Sequence, residues 1–105
     1  MKVSLFKPAG HIPMHVNASD EIALVWNCDD VLEVLWAFDG TVLAYIAGHC
    51  HEGGHFVDQK NIHHLTLQAV VECEPDINAF ATVHVYEEYV IIEGSGRVGS
   101  YRIAY

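Results

Sequence analysis

The stretch Thr41-Val-Leu-Ala-Tyr-Ile-Ala47, followed at once by Gly48-His49-Cys50-His51, decides the fold class of this chain. An almost continuously apolar run of this length is typical of a strand that is buried on both faces. The glycine ends the strand, and the histidines follow at its carboxyl end. Because sites in α/β proteins tend to lie just beyond the carboxyl ends of such strands, the sequence predicts a functional site around residues 48–51.

The other elements are predicted from apolar periodicity and turn residues. Residues 29–38 have helical spacing, with an apolar stripe formed by Val31, Val34, Leu35 and Phe38. Short apolar or alternating runs predict strands, and Gly- and Pro-containing stretches predict turns. The strands are Lys2–Phe6, His63–Glu72, Phe80–Tyr86, Tyr89–Glu93 and Tyr101–Ala104, and the turns are Gly53-Gly54, Glu74-Pro75-Asp76 and Gly94-Ser95-Gly96. The predicted order is strand, helix, strand and then an antiparallel meander, which is an α/β pattern.

Composition limits the classes of function. The chain has 105 residues, of which 51% are apolar and 18% charged, as expected for a single globular domain over residues 1–105. Its formal charge is −9 with only five basic residues, which excludes nucleic-acid binding through phosphate contacts and disfavours anionic membranes. A negative net charge is compatible with the binding of divalent cations. The slightly positive mean hydropathy indicates either an unusually rich core or some apolar surface that meets a partner.

The cysteines indicate a reducing compartment. Cys28, Cys50 and Cys73 are odd in number and lack CxxC spacing, as in proteins with reduced thiols. No signal peptide is recognisable at the N-terminus. We therefore expect a cytoplasmic protein.

Eight histidines are present, five of them between residues 49 and 64. In an extended segment His49 and His51 would point to the same side, as a metal-binding pair does, with Gly48 allowing the backbone to turn. A surface histidine cluster in a glycine-rich loop explains the same spacing equally well. Taken alone, His11 and His15 are more typical of exposed loop residues.

An ordered set of motifs resembles one known family. The chain is similar to calcineurin-like metallophosphoesterases, and within them to the manganese-dependent ADP-ribose/CDP-alcohol diphosphatases, from about Leu5 to the C-terminus. The matching motifs are Gly10-His11-Ile12-Pro13-Met14-His15, Trp26-Asn27, Gly48-His49-Cys50-His51-Glu52-Gly53-Gly54, Ile62-His63-His64-Leu65-Thr66-Leu67, Ala79-Phe80-Ala81-Thr82-Val83 and Gly96-Arg97-Val98.

This resemblance implies a fold and a metal site. The fold is α/β: the C-terminal half of a metallophosphoesterase-type α/β/β/α sandwich, with one helix and a mostly antiparallel sheet. His11 and His49 match ligands of the family's second metal, and His51 matches a ligand of the first. The implied cofactor is a divalent metal, manganese in preference to zinc or iron, and the implied substrate is a phosphate-containing, nucleotide-like molecule. In the family the two metals clamp a phosphate and activate a bridging water.

Departures from the family pattern are equally informative. The Asp-x-His, Gly-Asp and Gly-Asn-His blocks of the family's N-terminal half are absent, and Asn61 stands where glycine is common. No carboxylate here obviously replaces the missing ligands. The resemblance therefore implies a fragment that is catalytically incomplete alone. For six residues, two roles stay open beside a purely structural one: supporting the metal ligands, or contacting the substrate. They are His15, His55, His63, His64, Asp58 and Arg97.

Three functional hypotheses follow. The chain is a half-domain whose exposed strand faces are covered by a missing N-terminal half or by self-association. Alternatively, it is an enzyme that an oligomer or a partner chain completes. The third hypothesis is a non-catalytic metal-binding or oligomeric interaction protein that reuses the fold fragment.

Overall fold

The computed structural model describes residues 8–38 and 40–105 of the chain. One α-helix, α1, runs from Cys28 to Ala37, and three short 3-10 helices cover Val16–Ala18, Glu21–Ala23 and Val70–Glu72. The strands are β1 (Ala44–Ala47), β2 (Gly54–Val57), β3 (His63–Thr66), β4 (Ala79–Val85), β5 (Tyr89–Gly96) and β6 (Tyr101–Ala104). The predicted strand at Lys2–Phe6 lies outside the described residues.

The strands form two three-stranded sheets. The first has the order β1-β3-β2, in which β1 and β3 are parallel while β2 and β3 are antiparallel. The second is the antiparallel sheet β4-β5-β6. This is the predicted α/β class, with one helix and mostly antiparallel pairs among the described residues.

A shared apolar core joins the two sheets. Leu43, Ala44 and Leu65 come from the first sheet or its approach, and they cluster with Val90, Ile92 and Ile103 of the second. Three of the four β1 residues are buried and the fourth is half-buried. The burial of β1 explains why the run 41–47, which predicted a strand buried on both faces, is almost continuously apolar.

The helix lies where it was predicted but presents a different face. Leu32 is its buried residue, and Trp36, one turn later, donates a hydrogen bond from Nε1 to Asp58 Oδ2 at 2.9 Å. Val34 and Phe38 of the predicted stripe are each 59% exposed. The stripe prediction is wrong at Val34 because the part-buried hydrogen bond of Trp36 fixes the rotation of the helix, and at Phe38 because the helix ends at Ala37.

Strand boundaries differ from the predictions at two places. Residues 67–72 do not continue β3, since Val70–Glu72 forms a 3-10 turn. Gly94-Ser95-Gly96 is the end of β5 and not a turn. A Cβ at Gly94 would overlap the carbonyl oxygens of the 98–99 loop, so glycine serves a close backbone approach there. The predicted turns at Gly53 and at 75–76 are present, and Gly54 begins β2, which the prediction missed.

Among the described residues, no helix combines the length and the apolar character that crossing a bilayer requires.

Replacing Gly96 by alanine is expected to destabilise the fold far more than replacing Gly40. Both glycines have left-handed φ angles, 65° and 72° respectively, which cost an L-residue about 1–2 kcal/mol. A Cβ at Gly96 would also overlap the Asn78 carbonyl, whereas a Cβ at Gly40 meets nothing within 4 Å. In urea denaturation we expect a loss above about 3 kcal/mol for Gly96→Ala and about 1 kcal/mol for Gly40→Ala. Equal losses would contradict the close packing of the 78–79 segment on β5.

Candidate functional site

A short backbone segment brings His11 to the carboxyl end of β1. Pro8 and Gly10 flank an isolated parallel bridge between Ala9 and Ile46, with Ile46 N donating to Pro8 O at 3.1 Å and Gly10 N donating to Ile46 O at 3.0 Å. One step further along, Gly48 N donates to His11 O at 3.0 Å. His11 therefore lies beside the first residues after β1.

The imidazoles of His11 and His49 meet there. Their ring centroids are 5.1 Å apart with an edge-to-face angle of 68°, and both residues are exposed. His49 has a φ of 65°, a conformation that costs a histidine about 1–2 kcal/mol. Gly48, predicted to provide the turn, does not have a positive φ. The strained residue of this bend is thus the histidine itself, as is frequent at functional sites.

His51 contacts a different set of groups from those around His11 and His49. Its Nδ1 lies 2.8 Å from Glu72 Oε1, and its carbonyl accepts from Ala69 N at 3.1 Å. The extended backbone assumed for His49 and His51 is not present at His49, whose φ is left-handed. Glu72 was missed by the sequence reasoning. A carboxylate that accepts a hydrogen bond from one ring nitrogen of a histidine fixes its tautomer and leaves the other ring nitrogen free to bind a metal.

Arg97 contacts the loop that carries His51 and Glu52. Its guanidinium reaches the carbonyl of His51 at 3.5 Å and Glu52 Oε2 at 3.3 Å. The predicted substrate-side role of Arg97 gains no direct geometric support, since its contacts are with the loop that carries His51.

His15, His64 and Asp58 form a structural group. Asp58 Oδ2 accepts from His64 Nε2 at 2.8 Å, and both side chains are almost fully buried. The ring of His15 packs 5.0 Å from that of His64 and 4.6 Å from Phe56, while its Nδ1 accepts from Asn17 N. These contacts explain the three polar residues as parts of the fold.

Burial and hydrogen bonding act on Asp58 and His64 in opposite ways. Burial raises the pKa of Asp58, but its hydrogen bonds from Trp36, His64, Ile62 and Lys60 together outweigh burial and lower that pKa. Burial lowers the pKa of His64 despite the partly compensating Asp58 carboxylate. The His64 ring is therefore neutral near pH 7.

His55 and His63 pair with each other on the first sheet. His55 Nε2 and His63 Nδ1 are 3.1 Å apart, and the His55 ring also packs on Tyr101. Cys50, which lies between His49 and His51 in the sequence, is buried.

An open cleft of about 660 Å³ borders His49. Its walls are mostly apolar and come from the segment between the first 3-10 helix and α1. Trp26, which lines it, is fully exposed. The lining residues are Ile12, Ile22, Ala23, Leu24, Val25, Trp26, Asn27 and His49. The Trp26-Asn27 motif was the available signal for this cleft.

The donor set fits part of a metal centre. Imidazole nitrogens at a bend beyond a strand are suitable divalent-metal ligands. Within the ranges 8–38 and 40–105, however, no three His, Cys, Asp or Glu side chains are grouped so as to hold an ion. His11 and His49 can therefore supply two ligands of one ion.

Comparison with known proteins identifies the relatives. The chain is 43% identical over 88 residues to a manganese-dependent ADP-ribose/CDP-alcohol diphosphatase from Bos taurus, covering 84% of this chain and 26% of that protein. A protein of the same name from Arabidopsis thaliana is 36% identical over 91 residues, covering 87% of this chain and 29% of its own length. No family model matches the chain.

A solved structure agrees with these relatives. A dimetal phosphatase from Danio rerio superposes with a TM-score of 0.88 at 43% identity, covering 91% of this chain and 30% of that one. The predicted resemblance is confirmed, and with it the metallophosphoesterase-type fold. The chain spans between a quarter and a third of the length of these relatives.

Proposed function

We propose that this chain, which is homologous to part of the manganese-dependent ADP-ribose/CDP-alcohol diphosphatases, is the C-terminal portion of such a phosphohydrolase. In this proposal it supplies half of the enzyme's two-metal site. The juxtaposition of His11 and His49 beyond β1 carries this proposal. The remaining ligands, which the family provides from its N-terminal blocks, come from a missing half or a partner chain. The chain alone is then catalytically incomplete.

His11 and His49 would hold one divalent metal and His51 the other, with manganese preferred because the relatives are named for it. Such ions neutralise phosphate charge and supply a hydroxide nucleophile at neutral pH. In this arrangement Glu72 accepts the Nδ1 proton of His51 and presents its Nε2 as the ligand. Arg97, through the His51 carbonyl and Glu52, holds the loop in place.

The apolar cleft beside His49 supports a nucleotide-like substrate. A base can stack on the exposed face of Trp26 while the diphosphate extends to the histidines, because aromatic faces stack favourably on bases. The relatives' substrates, by their names, are ADP-ribose and CDP-alcohols, and both contain a nucleoside diphosphate group.

Manganese binding to the chain tests the half-site. We expect the electron paramagnetic resonance signal of free Mn²⁺ to fall on addition of the protein. His11→Ala and His49→Ala should each weaken binding at least about tenfold, because each removes one of two adjacent ligands. His84→Ala serves as the matched control, since His84 pairs with Glu93 on the second sheet. Absent binding, or binding that neither substitution alters, would refute the half-site.

The alternative function is a non-catalytic metal-binding or oligomeric interaction protein. The observation in its favour is apolar exposure, above all at Ile22 and Trp26, which are 97% and 102% exposed. Self-association would cover this surface. The mass in solution with and without Mn²⁺ separates the cases, since a monomer at all concentrations argues for an absent half and a metal-independent oligomer for an interaction protein.

A cytoplasmic location is part of the proposal. Cys28, Cys50 and Cys73 are all free thiols, which supports a reducing compartment.

A further inference from the structure

A second pair of histidines lies on the first sheet, apart from the His11–His49 pair. In the antiparallel register His55 of β2 is opposite Leu65, and His63 of β3 is opposite Val57. The two histidines are therefore diagonal neighbours on one face of the sheet. His55 Nε2 and His63 Nδ1 are 3.1 Å apart. Tyr101 of the second sheet packs on the His55 ring, with centroids 4.8 Å apart.

The contact requires that the two rings share a single proton. One ring nitrogen donates and the other accepts, so two fully protonated rings are incompatible with it. Burial lowers the pKa of His55, and burial, followed by the charge of His55, lowers the pKa of His63. Both rings are accordingly neutral near pH 7, which is the state that metal ligands require.

We propose that His55 Nε2 and His63 Nδ1 are the protein ligands of an accessory Zn²⁺ site that joins β2 to β3. The metal lies between the two nitrogens, and the proton that they shared moves to the other nitrogen of its own ring, so both imidazoles stay neutral. Two Zn–N bonds of about 2.0–2.1 Å across the 3.1 Å separation form an angle of about 100° at the metal. Each ring turns by about 40° from the N···N line to direct its lone pair at the ion. His55 is exposed, so its ring has room for this rotation.

The ligand chemistry selects zinc over manganese. Neutral imidazoles bind Zn²⁺, Ni²⁺ and Cu²⁺ well, whereas Mn²⁺ stands at the weak end of the divalent series and prefers oxygen ligands. No third ligating side chain is grouped with the pair in the described parts of the chain, so water completes the coordination. The net charge of −9 favours cation binding in general. This site is independent of the proposed manganese half-site.

The test is calorimetric titration of Zn²⁺ into the full chain carrying His11→Ala and His49→Ala, which removes the other histidine pair. We expect Zn²⁺ binding that His55→Phe weakens at least about tenfold. Phenylalanine keeps an aromatic ring against Tyr101 and removes only the ligand. His84→Phe, in which a histidine is removed from β4, should leave the titration unchanged. Equal weakening by His84→Phe, or no effect of His55→Phe, would overturn the site.

Ring-nitrogen NMR of the unmodified chain gives a second, substitution-free measurement. We expect Zn²⁺ to shift His55 Nε2 and His63 Nδ1 together. Zn²⁺ shifts confined to other histidines would overturn the proposal even if a variant failed to fold. Loss of Mn²⁺ binding at His11 and His49 would leave this result untouched, so the two proposals fail separately.

Discussion

Replacing Asp58 by alanine is expected to remove about 3–5 kcal/mol of folding free energy, a large share of what a domain of this size has. Asp58 Oδ1 accepts from the backbone N–H groups of Lys60 and Ile62, at 2.9 and 3.0 Å. Oδ2 accepts from Trp36 Nε1 and His64 Nε2, at 2.9 and 2.8 Å. One carboxylate thus joins α1, the 58–62 turn and β3. Its removal leaves four donors without their acceptor, and a buried donor without a partner costs about 1–3 kcal/mol.

Urea denaturation at pH 7 measures this loss, with two graded controls. Trp36→Phe removes one of the four donors and keeps the ring, so we expect it to cost about 1–2 kcal/mol. Asp76→Ala changes an exposed turn residue and should stay within about 0.5 kcal/mol. If Asp58→Ala cost no more than Trp36→Phe, the carboxylate would not be the joint between these elements.

The buried pair of Asp58 and His64 makes the fold sensitive to acid. The pKa of His64 is lowered in the folded state, so the unfolded chain binds more protons as the pH falls below about 6.5, and stability decreases there. His64 Nδ1 is buried without a hydrogen-bond partner, so a proton placed on it would have no acceptor. The lowered pKa of Asp58 removes further stability as the pH falls through and below about 4. Urea midpoints should therefore drop from pH 7 to pH 5 and again to pH 3, and a pH-independent midpoint would contradict this assignment.

Local sequence predicts the elements of this fold better than it predicts their contacts. The run 41–47 identifies β1 because an element covered on both faces needs apolar residues throughout. Gly94 and Gly96 misled the prediction, because a glycine that admits a neighbouring backbone looks the same in sequence as a glycine that turns. The exposed faces of α1 were misassigned because a hydrogen bond between residues 22 positions apart fixes the helix rotation.

For the candidate site too, the sequence predicted the residues better than their contacts. The motif resemblance selected His11, His49 and His51 as candidates. What brings His11 to His49 is the bridge between Ala9 and β1, a long-range pairing that periodicity does not contain. Glu72 reaches His51 through a 3-10 turn where the sequence predicted a strand. The buried roles of His15, His64 and Asp58 likewise depend on tertiary contacts and not on spacing.

Transplanting this chain into a complete relative is expected to restore catalysis. In the chimera, the chain replaces the matching segment of the Danio rerio dimetal phosphatase, about 30% of that protein. The TM-score of 0.88 indicates that the host provides a compatible scaffold. The host then supplies the ligands that, in the proposal, come from outside this chain. We expect Mn²⁺-dependent hydrolysis of ADP-ribose, measured as release of AMP.

His49→Ala in the active chimera should lower kcat/KM at least about 10²-fold. A metal stabilises developing phosphate charge by several kcal/mol, and each 1.4 kcal/mol corresponds to a factor of ten in rate. His49 is the more informative of the two adjacent histidines because its left-handed backbone shows that the fold tolerates strain to hold it there. Alanine at this position removes the ring contact with His11 that the proposal invokes.

Two comparisons make the outcome decisive. His84→Ala, on the second sheet, should keep kcat/KM within about twofold of the unmodified chimera, because a substitution outside the site leaves transition-state stabilisation intact. A chimera with native circular dichroism and no Mn²⁺-dependent activity would show that this chain has lost the half-site, despite its preserved fold. Undiminished activity of His49→Ala would instead place the metal elsewhere. Only a loss specific to His49 connects the strained bend after β1 to the chemistry.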